Sequence, residues 1–407
     1  MGFRRLNKST FFELPSFHQQ IQSVHIALRK YNIFMGFRIP PELIDQIIDH
    51  VPSDSGLKYQ YELARLLRVS RLWCSLVQPK LYRSISITSN GVLLARTLKS
   101  NDRLAILVKE LQIQPYCSLP RNQTEVGQTN TQICREILEM CPNVMGVVYR
   151  ANRRDWECYL VRDALGNAKR LKRLRVVDAM DFFVGEEELL GTLGRWENIE
   201  SLCLNGVSLS SRNRPGIGTS RTGNVTSQIS CLNLRKLEVV GVELGENNLR
   251  TLSSVKAPIE TFSISYLNTE FDGQEVLESL YSCLRNWSET LVKIHIEANE
   301  AVNLATSDFS FPSLPKVTHL YTRFAVDHPD NFRRIPKLAS LYYGISPDEE
   351  HSTPEFLEAL LEVLNSGSAL NELTSLTLYR GCSIFFVTDH IQEVCLERNI
   401  SFATRYN

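Results

Sequence analysis

The sequence lacks the features that mark several common classes of protein. Its ten cysteines include no CxxC pair, so the spacing typical of zinc ligands and of dithiol redox sites is missing. No run of about 18 apolar residues occurs, which is the length that a membrane-spanning helix needs. No apolar stretch follows the basic start of the chain, as a secretory signal would require. We therefore expect a protein of a reducing compartment, cytoplasmic or nuclear, that does not act at a membrane.

Charge of one sign is not in excess either, because 45 Lys and Arg residues balance 45 Asp and Glu residues. No overall field then attracts nucleic acid or anionic lipid, and we expect neither as a partner. The stretch KRLKRLR, from Lys169 to Arg175, holds five basic residues in seven. We interpret it as the solvated side of one structural unit, with a nuclear signal or a nucleic-acid patch as the alternative.

Motifs for catalysis and for cofactors are also missing. Neither GxSxG nor HExxH occurs in the chain. The stretch GTSRTGNV has the two glycines of a phosphate loop, but Asn224 and Val225 stand where Lys and Ser or Thr are needed. We therefore expect no enzyme activity, no metal and no cofactor, although a triad assembled from distant residues stays open.

What the chain does contain is a repeated apolar pattern. An apolar residue is followed by others at plus three and plus five, ten times over, with Thr322 as the one polar member. The plus-three and plus-five side chains share one face of a strand, and such a narrow apolar face is buried by stacking neighbouring units. The first members lie 21 to 36 residues apart and are Val108, Val144, Leu171, Ile199, Leu234, Ile259, Leu291, Val317, Leu338 and Leu373.

Helical patterns lie between several of these predicted strands. TQICREILEM, EEELLGTLGRW, EVLESLYSCLRNW and EFLEALLEVLNS place apolar residues three and four apart. The chain is therefore predicted to be α/β, a solenoid with a curved parallel sheet and outer helices, and the alternative is an ordinary doubly wound α/β domain. From about residue 84 to 407 it resembles the leucine-rich-repeat family in its irregular, F-box-associated form. The segment 208–230, rich in Ser, Thr, Gly and Arg, is predicted to be a flexible insertion.

The N-terminal quarter carries two further apolar stretches, RIPPELIDQIIDHV and LLRVSRLWCSLVQPKLYRSISI. The two prolines suit the first turn of a helix, and apolar residues then follow at helical spacing. With its Pro-Pro-Glu-Leu opening, Val-Ser-Arg-x-Trp and Pro-x-Leu-Tyr, this part resembles a three-helix F-box. We expect an extension over 1–37, the F-box over 38–86 and the repeat domain over 87–407, with residues 52–62 as a long loop between the first two helices. A helical cap over the solenoid is the alternative.

The resemblance implies a function without chemistry of its own. An F-box docks on a Skp-family adaptor, and through it on a cullin, while the repeats hold a target protein. The chain would then be the substrate-recognition subunit of an SCF-type ubiquitin ligase; the alternative is a repeat scaffold or inhibitor that acts independently of ubiquitin. The adaptor-binding residues expected from the resemblance are Ile39, Pro40, Pro41, Leu43, Ile44, Ile47, Ile48, Leu67, Val69 and Trp73, with Leu67 and Trp73 supporting the fold.

The period of the strands also predicts a surface for the target. Residues at plus four and plus six point away from the core, onto the face that leucine-rich repeats usually present to ligands. Tyr and Arg are the side chains that most often dominate interface energies. The candidate substrate-binding residues are Arg150, Arg175, Tyr321, Arg323, Tyr342 and Tyr379, and Glu238 and Glu297 lie in the same positions of other units.

Overall fold

A computed structural model describes the chain as two compact units, Met1–Leu81 and Tyr82–Asn407. The extension predicted over 1–37 lies outside the described residues, as does the part of the predicted insertion over 208–228. The described residues are 39–51, 56–87, 91–114, 130–151, 157–179, 182–183, 186–207, 229–241, 246–267, 273–298, 309–322, 330–344, 353–367, 370–380 and 385–406.

The N-terminal unit contains α1 (Pro41–Asp49), α2 (Gly56–Leu66) and all but the last two residues of α3 (Arg71–Arg83). Proline at the first position of α1 suits a helix start, because the N–H that proline lacks has no partner there. The ammonium of Lys80 on α3 lies 2.7 Å from a carboxylate oxygen of Asp45 and 2.6 Å from one of Asp49, both on α1. A small core of this unit comprises Ile44, Ile48, Val51, Leu63, Trp73 and Val77.

The long loop predicted over residues 52–62 is wrong from residue 56 onward, where α2 begins. The prediction followed the polar composition of this segment. Tyr59, Leu63 and Leu66 are nevertheless spaced four and three residues apart, and all three pack in or against the small core. One apolar face of that width is enough to fix a helix by packing.

The second unit is built on an open sheet of twelve parallel strands. Hydrogen-bonded neighbours follow the order of the chain throughout, whereas a doubly wound sheet reverses its strand order at a switch point. The doubly wound alternative is therefore excluded. The strands are β1 (Ser84–Ile87), β2 (Glu110–Ile113), β3 (Gly146–Arg150), β4 (Arg173–Val177), β5 (Ser201–Asn205), β7 (Lys236–Val240), β9 (Thr261–Leu267), β10 (Lys293–Ala298), β11 (His319–Thr322), β12 (Ser340–Gly344), β13 (Ser375–Arg380) and β14 (Ser401–Tyr406).

Two shorter strands, β6 (Ile229–Ser230) and β8 (Val255–Lys256), pair with each other outside this sheet. The last two residues of the predicted flexible insertion thus belong to a strand. The described helices of this unit are α4 (Gly91–Ser100), α5 (Asp102–Leu107), α6 (Asn130–Met140), α7 (Cys158–Gly166), α8 (Glu186–Arg195), α9 (Glu246–Ser253), α10 (Gly273–Asn286), α11 (Asp330–Arg333), α12 (Thr353–Ser366) and α13 (Phe385–Glu397).

In all ten predicted apolar triplets the plus-three and plus-five residues lie on strands of the sheet and the first member lies just before its strand, and every member is buried. The plus-three residues of neighbouring strands are paired in register, for example Leu174 with Leu202 and Leu202 with Leu237. Each predicted helical pattern is also a helix, and buried residues of α6, α8, α10 and α12 join the same core as the strands. The strand prediction is confirmed for these ten units, and it missed β1 and β14.

Asparagine side chains add hydrogen bonds between successive units where the chain enters a strand. In three units the residue just before the first apolar member is Asn, and its amide donates to a backbone carbonyl of the preceding unit, in a turn or at the end of a helix. Such bonds satisfy carbonyls that the sheet itself does not reach. The pairs are Asn143 with Ile106 at 2.9 Å, Asn198 with Lys169 at 2.8 Å and Asn233 with Glu197 at 2.9 Å.

Candidate binding surfaces

Three aromatic rings stack on the face of the sheet opposite the core, which we call the open face. The ring centroids of His295 on β10 and Tyr321 on β11 are 3.9 Å apart, with an angle of 15° between the planes. Those of Tyr321 and Tyr342 on β12 are 4.1 Å apart, with an angle of 8°. The three residues are paired in register across neighbouring strands, so strand pairing itself aligns the rings. All three are partly exposed, and we call this stack the aromatic ridge.

A carboxylate accompanies the ridge at one end. Oε2 of Glu297, two residues further along β10, lies 3.7 Å from Nε2 of His295. Glu297 pairs in register with Ser265 on β9. The ridge therefore combines two phenols, an imidazole and a carboxylate, which is a set suited to binding polar groups and flat apolar groups of a protein.

A polar cluster occupies the middle of the open face. Arg175 on β4, Cys203 on β5 and Glu238 on β7 are neighbours in register, and Nζ of Lys236 lies 2.6 Å from Oε1 of Glu238. Burial by itself would raise the pKa of the Glu238 carboxyl, but hydrogen bonds from Lys236 and Cys203 and the charges of Lys236 and Arg175 outweigh it and hold the pKa below its ordinary value. Glu238 is therefore a carboxylate at neutral pH.

The structure brings together some of the predicted target-binding residues and separates others. Tyr321 and Tyr342 are in contact, whereas Arg150 and Arg175 lie on the same face at β3 and β4, several strands away. Tyr379 lies on β13 in register with Gly344 and Arg405, but its side chain is outside the described part of the structure. Arg323 lies outside the described residues altogether.

His295 is a member of the ridge that sequence reasoning missed. It occupies the plus-four position after Leu291, as Tyr321 does after Val317 and Tyr342 after Leu338. The signal was present in the spacing, but the prediction took only Tyr and Arg side chains from these positions. Its place in the stack follows from the register of β10 with β11, which pairs the plus-four positions of the two units.

The second candidate surface is on α1 in the N-terminal unit. Leu43 is 49% exposed and Ile47 is 38% exposed, and the two lie one helical turn apart. Pro40 and Pro41 at the start of the helix are exposed as well, and Glu42 lies in its first turn. This is an apolar patch with acidic neighbours, on a helix that buries only two of its nine residues.

The other predicted adaptor-binding residues lie inside the small core or at its margin. Ile44 and Ile48 are fully buried, so they support α1 and cannot themselves present a surface. Trp73 is buried in the same core. Residues that are only partly buried and pack against that core include Ile39, Leu67 and Val69.

Two kinds of feature are absent from the described ranges. No group of three or more His, Cys, Asp or Glu side chains there could hold a metal ion. None of the helices described above is long and apolar enough to cross a membrane.

Comparison with known proteins assigns no family to the chain. No protein-family model matches it, and no curated protein matches it in sequence. The two surfaces, on α1 and on the open face, are therefore the observations from which a function can be inferred.

Proposed function

We propose that the chain is the substrate-recognition subunit of an SCF-type ubiquitin ligase. In this proposal the N-terminal unit is an F-box that binds a Skp-family adaptor, and through it a cullin, while the strand-helix units are leucine-rich repeats that hold a target protein on the open face. The chain performs no catalysis in this role. It raises the concentration of the target near the subunits that transfer ubiquitin.

The observation that carries the proposal is the exposed apolar pair Leu43 and Ile47 on α1, within the segment whose sequence resembles an F-box. α1 has nine residues and buries only two of them, so its apolar side chains extend beyond the part of the helix that the small core covers. Apolar side chains that remain at the surface in a contiguous patch are typical of sites for a protein partner. A standard interface removes roughly 800 Å² from each partner, which is enough to bury both of these side chains.

The first prediction tests the adaptor surface. The double substitution Leu43→Ala with Ile47→Ala should weaken capture of a purified Skp-family adaptor by about tenfold or more, because each buried aliphatic anchor contributes on the order of 1 kcal/mol to binding. Both side chains are substantially exposed, so the unit should stay folded. The measurement is the dissociation constant by biolayer interferometry, with circular dichroism as the check on folding.

A matched control is available on α4. Val92 is 50% exposed and Leu93 is 60% exposed, so Val92→Ala with Leu93→Ala removes a similar amount of surface hydrophobicity outside the N-terminal unit. Adaptor binding should be unchanged by this pair. Failure of the wild-type chain to bind any adaptor, or equal weakening by both double substitutions, would contradict the F-box assignment and favour a scaffold that acts independently of ubiquitin.

A further inference from the structure

The described residues of the open face carry more positive than negative charge, although the whole chain has a formal net charge of zero. This face is formed by alternate residues of the twelve strands, which the register of the sheet identifies. The described residues of this face include six cationic side chains and three carboxylates. The cations are Arg150, Arg173, Arg175, Lys236, Lys293 and Arg405, and the carboxylates are Glu110, Glu238 and Glu297.

The three carboxylates already have cationic or imidazole neighbours. Glu110 lies 2.7 Å from Arg173, Glu238 lies 2.6 Å from Lys236, and Glu297 lies 3.7 Å from His295. The remaining cations are all exposed, and within the described part of the chain they form no ion pair, although the charge of Arg175 acts on Glu238. These remaining cations are Arg150, Arg175, Lys293 and Arg405.

We propose that the open face binds a carboxylate-rich, extended segment of the target protein, with the aromatic ridge as its anchor. The inference rests on the proposed receptor function, because it names the class of target protein that the receptor would bind. Cations that form no ion pair with the described residues, on a chain whose formal net charge is zero, select and orient an anionic partner. The ridge lies on β10 to β12, between Arg175 on β4 and Arg405 on β14, and its two tyrosines supply the type of side chain that dominates interface energies.

The spacing of the cations favours several carboxylates over one phosphorylated residue. Arg150 and Arg175 lie on the neighbouring strands β3 and β4. Arg175 and Lys293, however, are four strands apart, as are Lys293 and Arg405, which is about 19 Å in each case at the usual strand spacing. Binding of a single phosphate needs several donors that converge on one point. Cations this far apart instead match an extended segment that carries an acidic residue about every six positions or more often, since six extended residues span roughly 20 Å.

The same spacing disfavours nucleic acid. Every nucleotide brings a phosphate, so a strand of nucleic acid laid across this face would meet the three carboxylates as well as the cations. Nucleic-acid surfaces carry a denser basic stripe than this face has.

The experiment measures peptide binding by the full chain with fluorescence anisotropy. The probe is a fluorescein-labelled peptide of about 12 residues that alternates Glu with Thr, long enough to extend over about 40 Å. Its counterpart has Gln in place of Glu, and a third probe is a single-stranded oligonucleotide of similar length. We expect the Glu peptide to bind, the affinity to fall as salt is added and the Gln peptide to bind at least about tenfold more weakly.

Two triple substitutions distinguish specific binding of the peptide at the open face from nonspecific attraction of the peptide to any positive charge on the protein. Arg175→Gln with Lys293→Gln and Arg405→Gln should weaken binding of the Glu peptide by about tenfold or more. Lys99→Gln with Lys316→Gln and Lys337→Gln removes the same charge from exposed residues away from the open face and should change the affinity by less than about twofold.

Three results would overturn the inference. One is equal binding of the Glu and Gln peptides, or no binding of either; another is equal loss with the two triple variants. The third is tighter binding of the oligonucleotide than of the Glu peptide, which would assign the face to nucleic acid. None of these experiments involves the adaptor, so failure here is distinct from failure of the F-box assignment, which the Leu43 and Ile47 variants test.

Discussion

Cys203 shows how the environment of one side chain decides what it can do. It is 7% exposed, and it lies on the open face between Arg175 and Glu238. Burial raises the pKa of its thiol to about 11, and the hydrogen bond to Glu238 acts in the same direction. Nucleophilic and metal-binding cysteines act as thiolates, so Cys203 is a packing residue of this surface at neutral pH.

The second prediction concerns alkylation of this thiol. Its ordinary pKa is 9.0, so a pKa of about 11 lowers the thiolate fraction at pH 8 by about a hundredfold. Iodoacetamide should therefore modify Cys203 slowly in the native protein at pH 8 and faster as the pH rises toward 11. Mass spectrometry of peptides from native and urea-unfolded protein measures both rates.

A variant of the neighbouring residue separates the two causes. Burial is the larger cause of the raised pKa, so Glu238→Gln should accelerate alkylation of Cys203 only modestly. A native rate equal to the unfolded rate would contradict the burial of Cys203. A large acceleration in Glu238→Gln would make the carboxylate, and not burial, the dominant cause.

At the scale of elements, the sequence predicted ten strands because their apolar spacing is a local signal. β1 carries the same spacing in Tyr82, Ile85 and Ile87, but its residues were assigned to the preceding F-box segment. β14 was missed because the first member of its triplet, just before the strand, is the polar residue Asn399. The φ of Asn399 is 56°, a left-handed conformation that Asn adopts more readily than apolar residues do. α2 was missed because the prediction followed the polar composition of residues 52–62 and not the helical spacing of Tyr59, Leu63 and Leu66.

The third prediction concerns the helices of the N-terminal unit. Trp73 on α3 is buried in the small core, so Trp73→Ala should destabilise this unit by about 3–5 kcal/mol. Hydrogen exchange of the full chain should then lose protection over 39–81, while strands of the sheet keep theirs. Leu72→Ala is the control, because the neighbouring Leu72 is exposed. Equal effects of the two substitutions would show that the ring is not a core residue.

The candidate surfaces were less predictable than the strands, for a reason that lies in strand pairing. Alternation along each strand was enough to place Tyr321 and Tyr342 on one face. Their stacking, and the addition of His295, depend on the register of three strands that are 21 and 26 residues apart in their repeats. Register follows the apolar pattern that two neighbouring strands share, so it is a property of a pair of strands and is not contained in any single stretch of sequence.

At the scale of the whole sheet, each strand pairs with the members of the sheet that come before and after it in the chain. Stability of such an array is approximately a sum over units and over the interfaces between neighbours. Removal of one core side chain should therefore lower the local stability most in the adjacent strands.

The fourth prediction follows from this arrangement. Leu237, the second residue of β7, is 1% exposed, and Leu237→Ala should lower the free energy of unfolding by about 2–5 kcal/mol. Hydrogen exchange should accelerate most in β5, β7 and β9 and progressively less toward β1 and β14. Leu232→Ala, at a residue that is 74% exposed, should change little. Equal acceleration in all twelve strands would instead show that the sheet opens as one cooperative body.

The order of the strands also matters while the chain is being made. Because the sheet is assembled in the order in which the ribosome delivers its strands, each new strand emerges beside an edge that is already in place. No early strand has to wait for a distant later one before its pairing begins. Synthesis and folding can then proceed together, and the apolar face of a nascent unit is exposed only until the next unit arrives.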